Sequence, residues 1–107
     1  SSRVVAARVA RARAVQRERQ QVANAFLPPP QIDRHCALDE AAASLLRQVA
    51  RRQHWSSRAL HRVQKLARTI ADLGGEARIG ARHVAEAIGY RRALDFGAGA
   101  DATMPGP

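Results

Sequence analysis

Apolar residues recur at helical spacing in four stretches of the chain, and no stretch alternates apolar and polar residues as a strand would. The clearest stretch is 56–73. Ser56 at its start is a favourable N-cap, and Gly74-Gly75 after it supply a stop. Its apolar stripe consists of Leu60, Val63, Ala67 and Ile70. We therefore predict a helix over residues 56–73 with one buried face.

Two neighbouring stretches have the same periodicity. Residues 39–53 have Leu38 or Asp39 near the predicted cap. The acidic Asp39 and Glu40 favour a helix start there, and the arginines at the other end favour a helix end. Residues 81–90 follow Ile79, which we expect to pack over the start of that helix. The predicted buried positions are Ala42, Leu45, Leu46, Val49, Val84, Ala87 and Ile88. Together the three predicted helices form a small bundle.

Residues 1–23 form a fourth predicted helix, because they contain no glycine or proline. Their apolar stripe is thin, and six arginines against Glu18 give the segment a net charge of +5. A helix with so little apolar surface is expected to pack on something outside this chain. We therefore expect the chain to be part of a larger protein.

Residues 24–38 interrupt the helical pattern at Pro28-Pro29-Pro30, which favours an extended polyproline conformation. We interpret this segment as a semi-rigid linker between the N-terminal helix and a helical unit at 39–95. Residues 96–107 are rich in Gly, Ala and Pro and are predicted to be a disordered tail. The predicted fold class is therefore all-α, a three-helix bundle with an additional N-terminal helix.

The charge of the chain adds a functional indication, because 18 lysines and arginines face only 9 acidic residues, a formal net charge of +9. Seventeen of the eighteen cations are arginine. This excess predicts a nucleic-acid partner, although the four scattered aromatic residues do not favour base stacking. A high-GC coding sequence would also enrich arginine and alanine, so the composition leaves both interpretations open.

Several classes of protein are disfavoured by what the chain lacks. It has no run of about 20 apolar residues and no recognisable signal peptide, so we expect no membrane partner and a cytoplasmic location. Cys36 is the only cysteine, and the adjacent His35 is poorly placed for joint coordination, so no metal site is predicted. We recognise no nucleophile–base pair and no phosphate-binding glycine loop, and assign no catalytic residue.

Two arginines occupy a position that helix electrostatics does not favour. Arg58 lies in the first turn of the predicted 56–73 helix, and Arg62 follows one turn later. The helix dipole disfavours a cation at this end, whereas the free amides there favour an anion. A site for a phosphate-bearing ligand and a pair of solvated arginines are both consistent with this placement.

The segment Ser56–Leu73 resembles the lid-helix signature of the magnesium-chelatase-like AAA+ ATPases, specifically of their bacterial ComM/YifB branch. The shared features are a Ser-x-Arg-Ala start and the run Ala-Arg-Thr-Ile-Ala-Asp-Leu at 67–73. The segment Ile79–Arg91 is similar to the closing helix of that family. The resemblance covers residues 1–92, and in the N-terminal helix it is carried by Arg8-Val9, Ala12-Arg13 and Gln16.

This resemblance implies that the chain is the C-terminal lid of an ATPase that binds ATP with Mg²⁺. The ATPase is expected to work with neighbouring subunits of a hexamer, and its branch of the family is associated with DNA processing. The lid of this family carries the sensor-2 arginine, which contacts the γ-phosphate of ATP and couples hydrolysis to subunit movement. By position this residue is Arg58, with Arg62 as a second candidate. The chain has no Walker A lysine or Walker B acid that we recognise, so alone it is expected to be neither an enzyme nor a binder of ATP.

A different hypothesis is a stand-alone basic helical module that binds DNA through its phosphates. Its candidate contacts are Arg8, Arg11 and Arg13 in the N-terminal helix, for which packing on the ATPase core is the other open role. Arg68 and Asp72 lie four residues apart on the 56–73 helix and are predicted to brace the bundle.

Overall fold

A computed structural model describes the backbone of residues 2–103 and the side chains of residues 2–92. This part of the chain contains five α-helices and no strand; an isolated parallel bridge joins Leu38 to Ile79. The helices are α1 (Ser2–Gln20), α2 (Pro29–His35), α3 (Glu40–Gln53), α4 (Ser57–Leu73) and α5 (Ala81–Thr103), with a 3₁₀ turn at Asn24–Phe26 between α1 and α2. The predicted all-α fold class is confirmed.

Helix α4 is the centre of the fold, since α1, α2 and α5 all pack against it, and α3 packs on α5. Its start is fixed by Ser56, whose hydroxyl accepts a hydrogen bond from the amide of Ala59 at 3.2 Å. After its last turn the chain bends away at Gly75, whose φ of +72° suits glycine. Asp39 caps α3 in the same way as Ser56 caps α4, accepting from the amide of Ala42 at 2.8 Å.

The apolar core draws on α2, α3, α4 and α5. Small side chains line its centre: Ala67 and Ala71 of α4 are fully buried, which lets α5 pack closely. Burying each larger side chain around them stabilises the fold by about 1.5–3 kcal/mol. The cluster comprises Leu27, Ile32, Cys36, Ala42, Leu46, Val63, Ala67, Ala71, Ile79, Val84, Ala87 and Ile88. The helical stripes predicted from the sequence supply most of these positions.

The polyproline conformation predicted for the segment 24–38 is wrong. Pro28 is extended, but Pro29 and Pro30 occupy the first two positions of α2. Proline is favourable there because the missing N–H would have no partner in the first turn of a helix, and its fixed φ suits the helix. Ile32 and Cys36 are fully buried in the core, so the segment packs into the fold instead of bridging two units.

Helix α5 is longer than predicted. Its backbone continues past Tyr90 to Thr103, because the residues that follow, Arg-Arg-Ala-Leu, favour a helix. The predicted disordered tail comprises residues 96–107. The side chains of these residues, and the backbone from residue 104 onward, lie outside the described residues. No helix in residues 2–103, α5 included, has the length and apolarity needed to cross a membrane.

A buried carboxylate joins α1 to α4. The side chain of Asp72 is 1% exposed, and its Oδ1 accepts from Arg19 Nη1 at 3.1 Å and pairs with Arg68 Nη2 at 3.1 Å. Its Oδ2 accepts from Arg19 Nη2 at 3.2 Å, from Gln16 Nε2 at 3.0 Å and from Asn24 Nδ2 at 2.9 Å. The charge is therefore shared by two guanidiniums and two amides, as a buried ion requires. The predicted bracing role of Arg68 and Asp72 is confirmed.

The hydrogen bonds extend outward from this carboxylate. Asn24 also donates to Thr69 Oγ1 at 3.0 Å and accepts from Gln20 Nε2 at 2.8 Å. Arg68 donates to the carbonyls of Glu76 at 2.8 Å and Ala77 at 3.0 Å, which fixes the loop before α5. We call the connected side chains the Asp72 cluster: Gln16, Arg19, Gln20, Asn24, Arg68, Thr69 and Asp72.

Helix α1 packs within the chain, against α4, a contact that its thin apolar stripe did not predict. Its buried residues are Ala12, Gln16 and Gln20, so α4 holds it mainly by polar contacts. Its apolar side chains Val5 and Val15 are 57% and 46% exposed. The spacing of apolar residues predicts a stripe of Val5, Val9, Ala12 and Gln16, of which Ala12 and Gln16 are buried and Val5 is exposed; the burial of Gln20 was not predicted.

Replacing Asp72 by Asn should lower the free energy of unfolding by about 3 kcal/mol, because Arg19 and Arg68 lose their buried counter-charge. Urea denaturation followed by circular dichroism measures this loss. The matched control is Glu76→Gln, since the Glu76–Arg82 pair at 2.9 Å is exposed and should contribute less than about 1 kcal/mol. Equal losses in the two variants would contradict the central role of Asp72.

Candidate anion site at the start of helix α4

An open groove of about 430 Å³ lies beside the first two turns of α4. Arg58, the second residue of the helix, and Arg62, one turn later, line it with exposed side chains. Lys65 continues the cationic side by a further turn. The opposite wall is α2, through Pro29 and Ile32. The groove therefore combines a cationic helix face with a short apolar wall.

The positive charge of the groove is not balanced locally. Among the described side chains, neither Arg58 nor Arg62 makes a hydrogen bond or an ion pair, and no carboxylate lines the groove. Lys65 Nζ donates only to the carbonyl of Ala25, at 3.2 Å. Because the positive end of the helix dipole adds to these cations, the groove is suited to an anion with several acceptor oxygens, such as a phosphate group.

Most of this site was predictable from the sequence, and part was missed. The positions of Arg58 and Arg62 follow from their spacing after the Ser56 cap. Lys65, seven residues after Arg58, falls by helical spacing on the same side as the two arginines, as the sequence predicts. The α2 wall was missed because its prolines favoured an extended conformation over a helix.

The three arginines proposed as DNA contacts in α1 do not form one face. Arg8 Nη2 and Nε donate to the carbonyl of Leu73 at 3.3 and 3.4 Å, so this side chain caps the end of α4. Arg11 lies beside it and lines the same small recess. Arg13 is five residues from Arg8, about 140° further around the helix. The structure therefore brings Arg8 and Arg11 together and separates Arg13 from both.

Cys36 and His35 have environments that disfavour their charged forms. The Cys36 thiol is fully buried, and burial raises its pKa to about 11. Partial burial, reinforced by Arg34 and Arg19, lowers the pKa of His35. Across the described side chains, no group of three His, Cys, Asp or Glu residues is arranged to hold a metal ion. Cys36 is therefore a side chain of the core.

Comparison of the sequence with known proteins identifies a family. Residues 1–91 match the family described as magnesium chelatase, subunit ChlI C-terminal. Over 91 residues, the chain is 42% identical to the competence protein ComM of Haemophilus influenzae, and 40% and 37% identical to the uncharacterised protein YifB of Escherichia coli and of Salmonella typhimurium. Each match covers 85% of this chain and 18% of the relative. No solved structure matches the chain.

Thiol labelling tests the environment of Cys36. A pKa of about 11 instead of 9.0 leaves about 100-fold less thiolate at pH 8, so a disulfide reagent should react at least about 100-fold more slowly with the folded chain than with the chain in urea. The same shift has a consequence for stability. As pH rises from 9 to 11 the unfolded thiol ionises first, so the free energy of unfolding should fall. A folded-state labelling rate within tenfold of the unfolded rate would contradict this burial.

Proposed function

Because the chain belongs to the magnesium chelatase subunit ChlI C-terminal family, we propose that it is the helical lid of an AAA+ ATPase and that Arg58 is its sensor-2 arginine. The chain spans 18% of the length of each curated relative that it matches, so the ATPase itself would lie in the rest of the full-length protein. The helical bundle and the position of Arg58 on α4 support this proposal.

The observation that carries the proposal is the state of Arg58. Its guanidinium is exposed at the positive end of α4 and has no partner among the described residues. A cation at this end gains nothing from the helix dipole, whereas a phosphate placed against it would interact with both the guanidinium and the helix start. The planar fork of arginine suits the γ-phosphate oxygens, on which charge is stabilised during transfer.

Arg62 is the second candidate for phosphate contact. It shares the groove with Arg58 but lies one turn further from the helix start, where the dipole contributes less. Mg²⁺ prefers carboxylate and other oxygen ligands, and no carboxylate lines the groove. The ion that accompanies ATP would therefore be held by the ATPase core, and this chain would contribute only cations to the site.

Helix α4 also gives the lid a means of transmitting movement. Arg58 lies at its first turn, and Asp72 lies in its last turn, about 20 Å along the helix axis. Since the Asp72 cluster fixes α1 to this far end, a displacement of α4 towards bound ATP would carry α1 with it. We propose that this linkage couples hydrolysis to movement between neighbouring subunits of a hexamer.

The proposal also includes the substrate on which the full-length protein acts. One relative is named a competence protein, and by similarity to this branch we propose that the full-length ATPase acts on DNA. Arg8 is engaged with the carbonyl of Leu73, which removes one of the three contacts that the alternative, a stand-alone module that binds DNA through α1, would use.

In the full-length protein, Arg58→Ala should reduce ATP turnover about 100-fold, the typical effect of removing one charge-stabilising donor from a transition state. Steady-state phosphate release at saturating ATP is the measurement. Arg58→Lys, which keeps the charge but not the planar fork, should recover only part of the loss.

The matched control for this experiment is Arg78→Ala, which removes an exposed arginine from the loop before α5 and should leave turnover unchanged. Thermal unfolding of each variant checks that the lid remains folded. Turnover of Arg58→Ala within twofold of the wild type would refute the assignment.

A further inference from the structure

The second half of α3 presents a cationic face to solvent. Arg47, Arg51 and Arg52 are all exposed, and with two uncharged polar residues, Ser44 and Gln48, they line a shallow recess of about 520 Å³. No other element contributes to this recess. We call these five residues the α3 basic face. It is separate from the groove at Arg58, with which it shares no residue.

The charge of the α3 basic face has no partner among the described residues. None of its three arginines makes a hydrogen bond or an ion pair there, and no carboxylate lines the recess. The acidic residue of the same helix, Glu40, is seven residues from Arg47, about 10 Å along the axis. The face is thus a cluster of three unpaired guanidiniums.

The helix dipole explains the placement of only two of these three arginines. Arg51 and Arg52 lie in the last turn of α3, where cations favour the negative end of the dipole. Arg47 lies a turn earlier, where the dipole contributes little. The opposite side of the helix is occupied by Ala42 and Leu46, which are buried in the core. The basic face is therefore free to meet a partner without disturbing the packing of α3.

The arrangement favours an extended polyanion over a single small anion. The carbonyls at the end of α3 attract no anion, so binding must come from the side chains. Arg47 and Arg51 are separated by about 6 Å along the axis, and Arg52 lies to the side of both. Guanidiniums spread in this way can contact successive charges of a polymer.

The chemistry of the recess further selects the kind of polymer. No aromatic side chain lines it, which disfavours single-stranded nucleic acid held by base stacking. No apolar side chain lines it, which disfavours an acidic protein segment anchored by apolar residues. Arginine, serine and glutamine are common donors to the phosphates of a duplex.

We propose that the α3 basic face binds the phosphodiester backbone of duplex DNA without reading its sequence. The site depends on charge and donor geometry, so it does not rest on the role proposed for Arg58; in the full-length protein it rests on the proposed action on DNA. It assigns contact with DNA to α3 instead of to the arginines of α1.

The test compares the wild-type chain with the variant Arg47→Gln/Arg51→Gln/Arg52→Gln. Fluorescence anisotropy with a short labelled DNA duplex, between about 50 and about 200 mM salt, gives the affinity and its salt dependence. Loss of three phosphate contacts should make the slope of log K against log salt shallower by about 2.7 and weaken binding at least about tenfold at the lower salt. Thermal unfolding should be unchanged within a few degrees, since these side chains are exposed.

Two further variants distinguish binding at the α3 basic face from a general effect of the net charge of the chain. Arg3→Gln/Arg11→Gln/Arg13→Gln removes the same charge from exposed positions of α1 and should change the affinity less than threefold. Arg47→Lys/Arg51→Lys/Arg52→Lys keeps the charge and should retain the wild-type slope. An equal loss in the α1 variant would show that net charge alone drives binding and would overturn the proposal.

Other outcomes are also decisive. No binding of the wild-type chain at about 50 mM salt would overturn the proposal. Displacement of the duplex by polyglutamate at equal charge concentration would identify an acidic protein as the better partner and would also overturn it. Resistance to polyglutamate, together with the loss confined to the α3 variant, would support it.

Discussion

The structure depends on a single buried carboxylate. A charge as deeply buried as that of Asp72 is tolerated only when oppositely charged and hydrogen-bonding groups surround it. Those groups come from α1 through Arg19 and Gln16, from the 3₁₀ turn through Asn24, and from α4 itself through Arg68. The requirement to satisfy one ion therefore fixes three segments of the chain relative to one another.

The same cluster organises the connection to α5. Arg68 is buried, and burial lowers its pKa although Asp72 acts in the opposite direction. Its Nη1 donates to the carbonyl of Ala77 and its Nη2 to that of Glu76, so the loop after α4 is fixed by the same guanidinium that pairs with the carboxylate. The arginines of this chain thus divide into those that stabilise the fold and those that remain available to a partner, including Arg58.

The helices that carry their own local signals could be predicted from the sequence. Ser56 and Asp39 indicated the starts of α4 and α3, and the apolar stripes indicated their buried faces. The position of Arg58 followed directly, because it needs only the helix start and the residue count. Helix α2 was missed because three consecutive prolines favour an extended chain, and only the burial of Ile32 in the tertiary fold shows why a helix forms there. The pair Arg68–Asp72 was visible as a four-residue spacing, but Arg19 lies 53 residues from Asp72, and no local pattern reports such a contact.

The central claim is that Arg19 and Asp72 hold α1 and α4 together as one unit. A double-mutant cycle tests it most directly, with Arg19→Met, Asp72→Asn and the double variant each unfolded in urea. We predict a coupling free energy of about 2 kcal/mol, because the pair joins a carboxylate that is 1% exposed to a guanidinium that is 23% exposed, where water screens their attraction only in part. Losses that add to within about 0.5 kcal/mol would contradict the claim.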